Sequence, residues 1–176
     1  MIENIKKKFI IFSLICILIL LVVYILPLQR KINVNLDGFQ CEIGDNKYIK
    51  GLSINVIGTY NDYLFKDDNF LGTIKIDGYG EIWSVSNGKL IFSDNVARLI
   101  TLDKDNRTNN FGDLLCEKNF SEILIIVSEK IGENGSEWTS ENGTYIVAPA
   151  KNKYETIRLA EKLSEKNDWF SSIQWK

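Results

Sequence analysis

The sequence predicts a mainly β (α+β) protein: one antiparallel, strand-rich domain with a single C-terminal α-helix, preceded by one N-terminal transmembrane helix. Three observations carry this reading. Residues 9–28 run twenty positions without a charge, directly after Lys6, Lys7 and Lys8. From Ile32 onward, apolar and polar residues alternate between turn pairs such as Asp77-Gly78 and Asn87-Gly88, the period-2 signature of half-buried strands. A helical period with its own cap appears once, over about 152–166.

The charge-free run is long enough for a membrane. At about 1.5 Å per residue, twenty helical residues cover roughly 30 Å, the depth of a hydrocarbon core. A cleaved signal peptide has a shorter apolar core followed by small residues; here the run ends at Tyr24, Ile25, Leu26, Pro27 and Leu28. Cys16 lies mid-run behind Ser13, Leu14 and Ile15, which does not suit a lipoprotein site. The expectation is an uncleaved signal anchor: residues 1–8 a cytoplasmic stub, 9–28 the span, and 32–176 an extracytoplasmic domain. Lys6 to Lys8 outweigh Arg30 and Lys31 across the span, which sets the N-terminus inside. The expected localisation is a cell membrane crossed once, with lipid bilayer as the partner of residues 9–28.

Along the domain, Ile32, Val34 and Leu36 make a first strand, and Phe39, Cys41 and Ile43 repeat the alternation after an Asp37-Gly38 turn. Gly44, Asp45 and Asn46 turn the chain. Leu52, Ile54 and Val56 open a strand running towards Phe65, with a hairpin tip at Lys66, Asp67, Asp68 and Asn69; the return strand carries Leu71 and Thr73, or Ile74 and Ile76, on its inner face. Asp77-Gly78 is a turn. Ile82, Trp83 and Val85 are expected to pair with Leu90, Ile91 and Phe92 across Asn87-Gly88, whose residues both tolerate positive φ. Residues 96–102 form a further strand, and a polar loop follows to Asn110. Around Asp113 to Glu117 the pattern suggests a short turn of helix. Ile123 to Val127 is apolar without interruption, as in a strand buried on both faces. A Gly-rich loop over 132–143 carries Trp138, Tyr145 to Ala148 make the last strand, and Pro149 stops it. Asn152 caps the helix with Glu155 in capping-box position. Tyr154, Ile157, Leu159, Ala160 and Leu163 fill its apolar face.

Composition excludes several function classes. From Ile32 the chain carries 16 Lys plus Arg against 22 Asp plus Glu, a net charge of −6, and no basic patch that would recognise nucleic acid. Ile, Asn and Lys are frequent and Ala is scarce, a bias associated with AT-rich bacterial genomes; on that reading the Asn-x-Ser/Thr triplets at Asn106, Asn119, Asn134 and Asn142 carry no glycans. The chain has no histidine, which removes the usual general base, the usual zinc ligand and every Ser-His or Cys-His nucleophile. No cofactor motif is present, and no metal site is expected. Ser86-Asn87-Gly88-Lys89 and Ser93-Asp94-Asn95 reproduce the letters of two acyl-transfer motifs. A hairpin at Asn87-Gly88 separates the serine from the lysine, however, and the third motif is missing. Asp103, Asp105 and Asn106 begin like a calcium loop, but Thr108 stands where such a loop needs glycine.

Cys41 and Cys116 are the two domain cysteines and a candidate disulfide; the competing reading, favoured by their apolar neighbours, is two buried thiols. The candidate binding residues are Trp138, isolated in a polar loop, and Trp169 and Trp175 in the aromatic tail, with no catalytic residue assigned. These features describe a membrane-anchored, non-catalytic binding or interaction module of a bacterial cell envelope, with a protein or envelope polymer as its partner. The alternatives are a His-independent envelope enzyme using carboxylate acid/base chemistry and an accessory subunit of a membrane complex that assembles through the span.

Overall fold

A computed structural model describes residues 2–44, 48–82, 89–102, 108–131 and 135–175. The apolar run begins inside helix α1 (Ile2–Ile25), of which Lys6–Ile25 is long and apolar enough to cross a membrane and is not buried by the rest of the protein. The helix ends three residues before the uncharged run does. Pro27 cannot donate to a helix and biases Leu26 away from helical backbone, so Leu28 already belongs to β1 (Leu28–Glu42). The first strand therefore starts at Leu28, four residues before Ile32.

Eight antiparallel strands follow one another around a closed barrel. β1 pairs along its whole length with β2 (Tyr48–Asp62), from Leu28 opposite Asp62 to Cys41 opposite Tyr48. β2 pairs with β3 (Asp68–Ile76). The chain then turns at Asp77 and Gly78, with Gly78 at φ +86 as the sequence predicts, into β4 (Gly80–Ile82) and β5 (Lys89–Ser93). β6 (Val96–Leu102), β7 (Thr108–Cys116) and β8 (Ile123–Val127) continue the meander. A small hairpin of β9 (Glu129–Ile131) and β10 (Gly135–Glu137) precedes β11 (Thr144–Ala148), which pairs with β8 on one side and β1 on the other. The β1–β11 pairing closes the circle. The expected antiparallel, strand-rich domain is present, and its form is a closed barrel.

Alternation sorts the side chains into two cores. Ile54, Val56, Phe70, Ile74, Leu99, Leu114, Ile123, Ile125 and Ile146 point inward and fill the barrel. Leu115, Leu124, Ile126, Tyr145 and Val147 point outward beneath the helix α2 (Lys153–Ser164) and the tail that follows it. β8 and β11 are thus buried on both faces, which is why their sequences are continuously apolar. The barrel is plugged at the α1 end by Phe120, fully buried with its ring 4.7 Å from that of Phe70 and 6.2 Å from that of Tyr60. Towards the other end a bulge at Phe111, where β6 skips from Leu99 opposite Gly112 to Ile100 opposite Asn110, turns the Phe111 ring inward. Gly112 at φ +150 is the residue that permits it.

Several expectations are corrected. Asp37-Gly38 is not a turn: β1 runs straight through, and Gly38 is needed because a Cβ there would lie 2.7 Å from the Cβ of Ala148 on β11. Among the described residues β4 and β5 do not pair with each other, while Trp83 and Val85 of the expected hairpin lie outside them. Both run antiparallel to β3, β4 against Ile74 to Ile76 and β5 against Asp68 to Leu71. Of the two alternatives for the return strand, Ile74 and Ile76 face the core; Asp68 and Asn69 belong to β3 rather than to the hairpin tip. Residues 113–117 lie mainly in strand β7: Leu114 and Leu115 are both buried because the two faces of the wall are both covered, which imitates a helical doublet. Cys41 and Cys116 are free, since Cys41 faces the outer core and Cys116 the barrel interior. Tyr154 is 74% exposed, and Thr156 takes the buried place on α2. Asp45, Asn46, Trp83, Val85, Ser86, Asn87, Gly88, Asp103, Asp105, Asn106 and residues 132–134 lie outside the described residues.

Gly58 and Gly72 face each other across β2 and β3 at inward positions, where the Phe70 ring lies over both. An added Cβ at Gly72 would meet the Gly58 Cα at 2.6 Å and the Ile57 carbonyl oxygen at 2.3 Å. Gly72→Ala is expected to lower the unfolding free energy by about 1–3 kcal/mol or more through overpacking, read as a reduced denaturant midpoint of the full-length protein in detergent.

Candidate functional site

Helix α2 starts as its sequence dictates. Asn152 Oδ1 accepts from the Glu155 N–H at 3.0 Å, and Glu155 reaches back to the Lys151 N–H at 2.9 Å. Leu159, Ala160 and Leu163 seat it on β7, β8 and β11. A second cap follows directly: Asn167 Oδ1 accepts from the Trp169 N–H at 3.0 Å and opens α3 (Asp168–Ser171). Asn167 Nδ2 also donates to the Asp94 carbonyl at 3.1 Å, which ties α3 to the β5–β6 turn. That asparagine is a signal the sequence reading missed.

The aromatic tail divides by face. Phe170, Ile173 and Trp175 are buried in the outer core. Trp175, 3% exposed, sets its ring 5.0 Å from Tyr145 and donates from Nε1 to Ser164 Oγ at 3.0 Å. Trp169 turns outward and is 63% exposed, resting edge-on against Phe170 with centroids 4.5 Å apart.

Trp138 meets it there. Its Nε1 donates to the Thr144 carbonyl at 3.1 Å, and the indole lies against Gly143, where a Cβ would meet Nε1 at 2.1 Å. The loop behind it is pinned by the Gly143 N–H to the Thr139 carbonyl at 2.9 Å and by the Ile43 N–H to the Gly143 carbonyl at 3.1 Å. Trp138 is half-buried against the outer core, with its ring centroid 6.3 Å from that of Trp169. Together with Thr139, Ser140, Glu141, Ser172 and Ile173 the two indoles line a cleft of about 450 Å³. Trp169 also walls a second cleft of about 370 Å³ beside Asp94, Asn95, Lys166, Asn167 and Asp168. Of the three candidate tryptophans, then, the structure brings Trp138 and Trp169 together and puts Trp175 beneath the surface. Sequence spacing offers no signal for the pair, because the barrel's outer wall is what joins them.

A polar cluster stands at the end of the barrel nearest α1. Asp62 accepts from Lys118 at 2.6 Å and from Arg30 at 3.1 Å, and Lys118 also reaches Asp68 at 3.0 Å. Asp68 accepts from the Tyr60 hydroxyl at 3.0 Å and the Tyr63 N–H at 2.7 Å. Burial alone would raise the Asp68 pKa, but the Tyr63 N–H, the Lys118 ammonium and the Tyr60 hydroxyl outweigh it and hold the carboxyl below its ordinary value of 3.8. That direction is opposite to what a general acid requires. Burial would lower Lys118, but the two aspartates raise it above its ordinary value of 10.5. Cys41 is pushed up to about 11 by burial, despite a hydrogen bond to Tyr145 and the charge of Lys153, and so is a poor nucleophile. Among the described residues no three His, Cys, Asp or Glu side chains gather as metal ligands.

No family model matches this chain, no curated protein matches it, and no solved structure matches its fold. The class of protein rests on the barrel, the apolar helix and the aromatic cleft alone.

Trp175→Ala is expected to cost about 3–5 kcal/mol of stability as a core truncation, whereas Trp169→Ala should change it by about 0.5 kcal/mol or less; thermal unfolding of the two variants separates them. Folding favours ionised Asp68, so its contribution is complete above the ordinary carboxylate range and is lost as pH falls through the lowered folded value. The contribution of Lys118 is complete below about pH 10 and is lost as pH rises through its raised value. Lys118→Met should cost about 1 kcal/mol at pH 7, the modest scale of a half-exposed pair. The gap to wild type should close below the ordinary Asp68 value of 3.8, as melting curves taken across pH would record.

Proposed function

We propose that this protein is a membrane-anchored, non-catalytic binding module of a bacterial cell envelope, held by α1 in the cytoplasmic membrane with its barrel on the outer side. The observation that carries the reading is Trp169: a large indole 63% exposed on a support that is capped, hydrogen-bonded and packed from behind. Aromatic side chains fixed in this way lose little entropy on binding and dominate interface energies once a partner covers them. The polar rim of Thr139, Ser140, Glu141 and Ser172 beside two indole faces suits an amphipathic ligand with hydroxyls at its edge and an apolar face, as in an envelope polysaccharide; a protein segment bearing such a face fits less closely. Lys6, Lys7 and Lys8 against Arg30 and Lys31 support the outward placement of the barrel. The lowered pKa of Asp68, held down by the Tyr63 N–H, Lys118 and the Tyr60 hydroxyl, argues against carboxylate acid chemistry in the Asp62–Asp68–Lys118 cluster.

Co-sedimentation of the purified full-length protein with isolated cell-wall polymer tests the binding reading. Trp169→Ala should weaken binding by about 2 kcal/mol or more with the melting temperature unchanged; equal sedimentation of both proteins, or none of either, sinks it. For topology, a membrane-impermeant amine reagent applied to intact, wall-stripped cells should modify the barrel lysines, and protection until lysis would reverse the orientation.

A further inference from the structure

The uncharged part of helix α1 is shorter than the layer it would cross. From Phe9 to Ile25 it has 17 uncharged helical residues, about 25 Å at 1.5 Å per residue, against a hydrocarbon core of about 30 Å. The apolar run continues through Leu26 and Leu28 on extended backbone, both exposed, so the start of the barrel lies at the level where the remaining depth must be filled. At that level stands the β2–β3 tip, residues 63–67. Its Leu64 and Phe65 are 72% and 63% exposed. The Phe65 ring stacks on that of Tyr24, one residue before the end of α1, with centroids 5.6 Å apart. Beside this pair the Tyr63 N–H donates to Asp68 at 2.7 Å, and the exposed Lys66 ammonium lies 4.4 Å over the Tyr63 ring. The tip therefore presents its apolar side chains beside the helix while a braced hairpin holds them.

Resting on the reading of α1 as a membrane span, we propose that the β2–β3 tip is a second membrane contact, with Leu64 and Phe65 entering the lipid interface beside the C-terminal end of α1. Lipid is the occupant the geometry favours. The contact with Tyr24 fixes the tip at the depth of the helix end, Leu26, Leu28, Leu64 and Phe65 are all exposed apolar side chains, with Leu28 opposite Asp62 at the base of the tip, and Tyr24 and Tyr63 are the residue type that populates membrane interfaces. Two points of attachment instead of one set the tilt of the barrel over the bilayer.

The test uses the full-length protein carrying Cys16→Ser in vesicles of zwitterionic and anionic phosphatidyl lipids, with an environment-sensitive fluorophore on one introduced cysteine. Leu18→Cys reports the span, Phe65→Cys and Leu64→Cys the tip, and Asp77→Cys the β3–β4 turn at the opposite end of the barrel. The Cys16→Ser parent without an introduced cysteine, treated with the same fluorophore, supplies the background from Cys41 and Cys116. The expected result is a blue-shifted emission at both tip sites that is lost to lipids carrying a shallow nitroxide, loss to a deep nitroxide at position 18, and neither effect at position 77. Quenching at 18 with both tip sites behaving like 77 would overturn the second contact and leave the span standing. Absence of quenching at position 18 as well would remove the span and the proposal with it.

Discussion

Eight strands closed on one another leave an interior only wide enough for side chains, and the rest of this molecule follows from having to fill it. Inward positions of the meander supply branched aliphatic residues, and where two strands would crowd the Phe70 ring the sequence uses Gly58 and Gly72. The open ends need larger pieces than a strand can deliver in register. Phe120 comes from the β7–β8 connection, and Phe111 is re-aimed by a bulge. An interior packed in this way is taken up by side chains, so a partner of the proposed kind would meet the chemistry of the barrel's outer surface.

That outer surface is not uniform. Over β7, β8 and β11 it is covered by α2 and the tail, which makes those strands apolar on both faces. Over β2, β3 and β5 it meets solvent, with Ile57, Leu71 and Ile91 standing among polar neighbours. The tail serves two purposes within a few residues. Phe170, Ile173 and Trp175 complete the outer core, and the same short helix holds Trp169 clear of it. An exposed indole on a flexible tail would have to be ordered by its ligand, whereas here the capping asparagine and the buried neighbours have already ordered it.

Local chemistry was legible in the sequence; long-range geometry was not. The alternation over Ile32 to Leu36, the Asp77-Gly78 turn, the doubly buried β8 and the Asn152 cap each depend on neighbours a few residues away, and each stands in the structure. Barrel closure depends on β11 meeting β1, and no local pattern encodes that. The errors share a cause. Gly38 reads as a turn residue after Asp37, yet its role is to let a distant strand approach; Leu114 and Leu115 read as helical because an adjacent apolar pair gives no sign that both faces of a wall are covered. The candidate site shows the same limit: Trp169 lies in a tail whose exposed and buried members are told apart only by the wall beneath them.

The β1–β11 seam also governs how the chain reaches this form. Every other wall of the barrel joins strands close in sequence, whereas Phe39 must find Val147. Hairpins and short meanders can assemble early, but the seam must overcome the loop entropy of almost the whole domain before it returns any contact. Until then β1 and β11 are two bare edges on a nearly finished sheet, the state most open to pairing with another copy. Gly38 sits at this seam, admitting Ala148 to within contact of the backbone. A side chain in its place would keep the last gap open and lengthen the life of the aggregation-prone intermediate.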